Sequence, residues 1–308
     1  MQKNSRSDIC IPQELIDLLG RPKAPQQVWQ EPFDYVRGHC EAIADTSKPT
    51  DMLNFTDYFL DYQYMHVQRD LFEFALPHAL EGWARTVLER PAADRFSGTW
   101  HYEGMWDAFS YRPLYPEFLN DKQNKALMAF LVNVLIALME KENKLSFEGS
   151  GATPYAWTRL HAILITLFPL AEPIWRRWWD FPSAGLAVCG VQWLSAFLYE
   201  AHENPYFSPS TPSEGGGPPL VFETPMIRDA PANAESAAFF ERTLQPDWAR
   251  DALTRATLVL HDHQRLRTVE TTLSEFGWRS VLFQERASKF VSVLRRREAW
   301  KIIDWDEV

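Results

Sequence analysis

Residues 126–139 read ALMAFLVNVLIALM, and Asn133 is the one strongly polar side chain in the run. A helix that is apolar on nearly every face marks a position among other helices, so this stretch predicts a helix surrounded by others at the centre of the fold. Asn120, just upstream, has the short polar side chain that caps a helix N-terminus. A second stretch of the same kind begins at Ser183, a cap residue, and runs to about Glu203. Its Leu186, Val188, Val191, Trp193, Leu194, Phe197 and Leu198 again cover more than one face, and Ala184, Gly185, Ala187 and Gly190 let a neighbour approach closely. Two such helices in one chain imply a bundle.

Outward from these helices the chain stays helical. Towards the N-terminus, Pro12 to Leu19 is a short helix stopped by Gly20, and Pro22, Pro25 and Pro32 make an extended connector. Helices follow over 32–45 and 51–76. Pro77 is expected to end or kink the second of these and to open a further helix to about Arg90. Residues 96–118 carry Trp100, Tyr102, Trp106, Phe109, Tyr111, Tyr115 and Phe118 without a clean period, which predicts an aromatic loop over the core. Thr153 and Pro154 start a helix reaching Phe168, and Pro173 starts a short one containing Trp175, Trp178 and Trp179.

Residues 204–233 then interrupt the pattern with seven prolines and the run Gly215-Gly216-Gly217. Beyond the break, 234–244, 246–266, 268–276 and 278–301 read as helices. These last 75 or so residues are few for an independent core, so docking is expected. No repeat recurs at a fixed period, which argues against a solenoid. The expected architecture is all-α, an irregular multi-helix bundle with a docked C-terminal helical segment. Residues 1–203 form the main bundle with an N-terminal arm, 204–233 a Pro/Gly-rich connecting loop, and 234–308 the C-terminal segment packed on the bundle.

Of 308 residues, 46% are hydrophobic and 23% charged, as in ordinary globular proteins, and the formal charge is -10. Such a balance disfavours nucleic acid and anionic membrane surfaces as partners and favours a basic protein. Cys10, Cys40 and Cys189 are odd in number and lack any CxxC spacing, so neither a disulfide framework nor a cysteine-rich zinc module is indicated. The N-terminus, MQKNSRSDIC, has no apolar segment of signal-peptide type, and 126–139 is short for a bilayer span. A cytoplasmic protein of undetermined oligomeric state is expected.

Leu71-Phe72-Glu73-Phe74-Ala75-Leu76-Pro77, together with Leu119-Asn120-Asp121-Lys122-Gln123 ahead of the apolar helix, resembles an uncharacterised bacterial α-helical domain family. The likeness covers about a quarter of the chain. It implies a helical fold and a bacterial source, and no mechanism.

Candidate chemistry is sparse. His66 and Asp70 stand one helical turn apart with Glu73 on nearly the same face, the convergence that metal ligation and acid-base catalysis both need. An ordinary helix-surface ion pair accounts for the same spacing. Glu200 and Glu203 form a second carboxylate pair, and His161 lies mid-helix among apolar residues. Folded together, these groups could hold a divalent metal, with His66, Asp70, Glu200 and Glu203 as ligands and His66, Asp70, Glu73 and His161 as catalytic candidates. No Glu-x-x-His repeat of the bundle di-iron kind occurs, and no cofactor is expected. On a helix His261 and His263 diverge by about 200° and cannot easily share an ion. The glycine runs lack the Lys-Ser/Thr of a phosphate loop, and no GxSxG is present.

Binding candidates are aromatic. Trp175, Arg176, Trp178 and Trp179 could offer stacking surfaces beside guanidinium groups, or the tryptophans could form one buried face that the arginines cap. Trp305, between Asp304 and Asp306, is a possible hook for a partner. The expected function is an acidic protein-binding module, such as an immunity-type neutraliser of a basic effector or toxin. Two alternatives remain open: an enzyme with a His/carboxylate site inside the bundle, and a bundle that binds a small molecule or lipid through 96–118 and 126–139.

Overall fold

The computed structural model describes residues 13–29, 36–48, 50–62, 66–89, 105–106, 108–109, 112–145, 156–200, 203–206 and 233–295. Among these residues the fold is all-α, with eleven helices and no strand. They are α1 (Gln13–Leu19), α2 (Arg37–Ala44), α3 (Met52–Asp61), α4 (Arg69–Glu89), α5 (Asp121–Met139), α6 (Ala156–Leu167), α7 (Ala171–Trp178), α8 (Ala184–Leu198), α9 (Ala234–Thr243), α10 (Pro246–Val259) and α11 (Leu266–Arg295). The chain forms two compact units, Met1–Val134 and Leu135–Val308, and the division falls inside α5.

In the first unit α2, α3 and α4 pack together and α1 lies on α4. The core is aromatic: Phe59 meets Phe72 and Phe109 edge-on at 5.7 and 5.4 Å, Phe72 packs on Phe118 at 4.2 Å, and Trp83 on Trp106 at 5.0 Å. Of the aromatic stretch 96–118, Trp106, Phe109 and Phe118 are buried in this core and Tyr115 is exposed.

The expected helix over 51–76 is two helices, α3 and α4, and the break lies upstream of Pro77. Gln68 is the reason. Its side chain is fully buried; Nε2 donates to the carbonyl of Gln27 at 2.9 Å, and Oε1 accepts the N–H of Trp29 at 2.9 Å. A buried amide satisfied on both sides fixes where α4 begins, and the Gln68 carbonyl accepts the N–H of Phe72 at 2.9 Å. Pro77 then sits inside α4. An interior proline costs about 3 kcal/mol, and burial of Leu76, Ala79, Leu80, Trp83 and Ala84 around it offsets that loss.

Helix α5 opens on a reciprocal cap. Asn120 Oδ1 accepts the N–H groups of Lys122 and Gln123 at 3.0 Å, and Gln123 Oε1 accepts the N–H of Asn120 at 2.9 Å. Gln123 Nε2 also donates to the Leu18 carbonyl at 2.9 Å, in the last turn of α1. Lys125, Ala129 and Asn133 form an exposed stripe along α5, and most of its other residues from Leu127 onward are buried. At 19 residues, α5 is the one helix among the described residues long and apolar enough to cross a bilayer by length and composition, and half of it is buried.

In the second unit α8 is the buried element: every residue from Gly185 to Ser195 is buried. Ser183 caps it by accepting the N–H of Leu186. A side chain on Gly185 would come within 2.5 Å of the Glu140 carbonyl oxygen, so its absence lets the chain beyond α5 cross the start of α8. Helices α10 and α11 pack on α8, α9 packs on α7 and α11, and α10 on α11. Two corrections concern this region. The helix expected over 246–266 stops at Val259, and the helices expected over 268–276 and 278–301 are one, α11, which runs through Gly277. An interior glycine costs about 1 kcal/mol, which the buried stripe of Val269, Phe276, Phe283, Ala287, Phe290 and Leu294 exceeds.

Two arginines of α11 close the C-terminus of α8, where the last carbonyls have no partners within the helix. Arg286 Nη1 donates to the carbonyls of Ala196 and Tyr199 at 2.8 and 2.7 Å, and Nη2 pairs with Glu200 at 2.6 Å. Arg279, nearly buried, donates to the Leu198 carbonyl at 3.2 Å and to Glu275 at 2.9 Å. Nearby, Thr272 meets the hydroxyls of Tyr199 and Tyr206 at 2.9 and 2.8 Å.

Candidate functional site

Six tryptophans of the second unit gather around His161. Trp157 and His161, one turn apart on α6, face Trp178 at 5.7 and 5.4 Å. On α7, Trp175 and Trp178 lie at i, i+3, and Trp179 follows as the helix ends, so all three project to one side. Trp193 of α8 reaches His161, Trp178 and Trp179 at 6.0, 6.0 and 5.6 Å. From α10, Trp248 packs on Trp175 at 4.4 Å and on Trp179 at 4.7 Å, and Phe239 of α9 meets Trp175 at 5.6 Å. Trp157, Trp178, Trp179 and Trp193 are buried, whereas Trp175, Phe239 and Trp248 are half-buried.

The cluster holds polar atoms that find no hydrogen bond. Trp178 donates to the Leu186 carbonyl at 2.9 Å, but His161 Nδ1 and the indole nitrogens of Trp157, Trp179 and Trp193 are buried without one. Burial alone pushes His161 down to about 3, so at neutral pH the ring is uncharged. A base that weak and that enclosed is poorly suited to proton transfer near neutrality. The cysteine thiols are similarly withdrawn: burial pushes Cys40 up to about 11 and Cys189 well above its ordinary value, so neither is an activated nucleophile.

The residues proposed for metal or acid-base chemistry lie elsewhere. His66 is exposed in the non-helical stretch ahead of α4, so the one-turn relation to Asp70 expected from a continuous helix does not exist. Asp70 occupies the first turn of α4, where its carboxylate suits the helix dipole, and Glu73 pairs with Arg69 at 2.8 Å. Glu200 and Glu203 follow the end of α8 and face arginines of α11: Glu200 meets Arg286 at 2.6 Å and Glu203 meets Arg279 at 3.8 Å. Among the described residues no three His, Cys, Asp or Glu side chains are grouped to hold a metal ion.

His261, Asp262 and His263 lie in the turn after α10. His263 Nδ1 accepts the N–H of Arg265 at 3.1 Å, which leaves Nε2 as the donor to the Asn143 carbonyl at 3.1 Å. Arg176 and Arg177 are exposed at the edge of the tryptophan cluster, and Arg176 pairs with Glu172 along α7. Trp305 lies outside the described residues.

Sequence reasoning found Trp175, Trp178 and Trp179 from their helical spacing. It did not connect them with Trp157, Trp193, Phe239 or Trp248, which arrive from four other helices with no shared local signal. It also did not single out Trp278 and Val281, among the most exposed large apolar side chains described, at 63% and 70%. Their signal was present as two apolar residues three apart on the face of α11 opposite its buried stripe. No known family, curated protein or solved structure matches the chain.

Proposed function

We propose that this protein acts by binding another macromolecule, a basic protein, and that the activity it best suits is neutralisation of a basic effector such as a nuclease toxin in the cytoplasm. The supporting observation is where the charges stand. The glutamates put forward for chemistry, Glu73, Glu200 and Glu203, face arginines of their own chain, and His161 is sealed among tryptophans. The chain as a whole carries a net charge of -10, and Glu235, Asp247, Asp251, Glu270 and Glu285 are among its exposed carboxylates. An acidic surface of this kind accelerates association with a basic protein and rejects acidic ones.

The test is capture from the lysate of the source organism on immobilised protein, followed by reconstitution with the purified partner. A basic protein bound at low salt, with affinity falling steeply as salt rises, is the expected result. Retention of no macromolecule, or binding indifferent to salt, overturns the reading.

One observation favours a second reading, binding of a small molecule inside the second unit. Four buried ring nitrogens without hydrogen bonds in one cluster are costly, at about 1–3 kcal/mol each. A ligand with oxygen acceptors would relieve that cost. Native mass spectrometry of gently purified protein tests it: a co-purifying small molecule that His161→Leu loses supports this reading, and a bare chain removes it.

A further inference from the structure

We infer that the arm formed by residues 21–29 occupies a peptide-binding surface of the first unit as a ligand in cis, and that an extended, basic, proline-bearing peptide of the partner takes its place. The inference rests on the binding function proposed above and names the kind of partner segment that is read.

The arm has the build of a bound peptide. Gly20, at φ 77°, turns the chain out of α1, and from Arg21 to Trp29 neither helix nor strand forms. Pro22 and Pro25 fix their own φ and confine Arg21 and Ala24 to extended conformations, so the arm is stiff before it docks. Pro22, Ala24, Pro25 and Val28 are half-buried, whereas Arg21, Lys23 and Trp29 are exposed. One side of an extended chain is covered and the other faces water, as when a proline-containing peptide lies on a protein surface. No backbone–backbone hydrogen bond ties residues 21–29 to the rest of the described chain.

Gln68 holds the arm. Its buried amide donates to the Gln27 carbonyl and accepts the N–H of Trp29, both at 2.9 Å. Carbonyl i and N–H i+2 point to one side of an extended chain, so this amide reads backbone, whatever the side chains between. If the arm left with nothing in its place, two polar atoms would lose these bonds in a buried position, which is costly. The site therefore favours exchange of one extended peptide for another over an empty state.

The arm is also the template for its replacement. Among residues 20–30 the charged side chains are Arg21 and Lys23, on a chain whose net charge is -10. A partner segment of the same pattern is basic, as the proposed partner is. Being tethered, the arm competes at a local concentration in the millimolar range, so peptides of modest affinity enter when it is loosened.

Fluorescence anisotropy with a labelled peptide of residues 20–30, GRPKAPQQVWQ, tests the assignment on the full chain. In the protein, Trp29→Pro removes the N–H that Gln68 accepts and loosens the arm. This variant should bind the peptide at least about tenfold more tightly than the parent. Val28→Asp loosens the arm by a second route and should act in the same direction, and circular dichroism will show that both variants fold. Trp29→Pro made in the peptide instead should abolish binding, with the protein unchanged in that comparison. Arg21→Glu combined with Lys23→Glu in the peptide should weaken binding, most at low salt.

Equal binding by the parent and both loosened variants, or a Trp29→Pro peptide that binds as tightly as the unmodified one, overturns the assignment. A charge-reversed peptide that binds equally well overturns the basic requirement. If no variant binds the peptide while a basic protein is still captured in a salt-dependent way, this surface is wrong and the binding function stands. If the peptides behave as expected and no basic protein is captured, the arm's surface stands and that function falls. A parent that sediments as a dimer, and that Trp29→Pro renders monomeric, would show arms exchanged between copies and overturn the assignment to a partner.

Discussion

Asn233 Nδ2 donates to the carbonyl of Phe168 at 2.7 Å, just past the last turn of α6, while its Oδ1 accepts the N–H of Ser236 at 2.9 Å in the first turn of α9. One side chain thus caps two helix ends 65 residues apart in sequence. The two roles separate by substitution. Asn233→Ala should lose both and cost about 2–3 kcal/mol. Asn233→Asp keeps the acceptor for Ser236 but sets a carboxylate against carbonyl oxygens, so it should do no better than alanine. Chemical unfolding of the two variants decides; an aspartate variant as stable as the parent would show that the Phe168 contact contributes nothing.

Two glycines in helices should respond oppositely to alanine. A side chain at Gly185 would stand 2.5 Å from the backbone oxygen of Glu140, which cannot move aside cheaply, whereas Gly277 faces open space. Gly185→Ala should destabilise by about 1–3 kcal/mol. Gly277→Ala should stabilise by about 0.5–1 kcal/mol, because alanine restricts the unfolded chain and favours helix. Thermal unfolding midpoints should move down for the first and up for the second.

Arg279 and Arg286 should be irreplaceable by lysine. Each guanidinium serves a carbonyl and a carboxylate at once, Leu198 and Glu275 for Arg279, Ala196 and Glu200 for Arg286. A single ammonium lacks that fork geometry. Arg279→Ala strands a buried carbonyl and should cost about 3 kcal/mol, and Arg279→Lys should recover little of it. Full recovery by lysine would refute the bidentate account.

His161 makes stability depend on pH in a defined direction. Its folded value, about 3, lies below the ordinary 6.5, so between these the unfolded chain binds a proton that the folded chain does not. Its contribution is complete above about pH 6.5 and is lost progressively as the pH falls towards 3, at up to about 1.4 kcal/mol per pH unit. Denaturant titrations from pH 7 to 4.5 should show a shallower loss in His161→Phe than in the parent. Parallel curves would mean that the histidine is not enclosed as described.

The helix caps were legible in the sequence, and so was most of the helical content. Asn120 and Ser183 cap where their side chains suggested, because a cap is made within three residues of itself. The break at Gln68 was not legible. Its cause is a pair of hydrogen bonds to residues 27 and 29, and apolar spacing from Leu53 to Ala75 carries no trace of them. With that break, the spacing that had joined His66 to Asp70 lost its helix. Pro77 and Gly277 misled for a related reason: each penalises a helix by a few kcal/mol at most, and the buried faces of α4 and α11 outweigh that.

An all-α chain and two strongly apolar helices follow from period and capping, which act over four residues or fewer and so are written in any short window, and the net negative charge follows from composition. Which tryptophans meet is another matter. Trp175 and Trp248 are in contact at 4.4 Å from positions 73 apart, and Arg286 closes a helix that ended 88 residues earlier. Such pairings exist because folding buries both partners together, and their energies depend on distances that no local stretch of chain contains. The same holds for the exposure of Trp278: its spacing marked a helix, but the packing of the opposite face left it facing water.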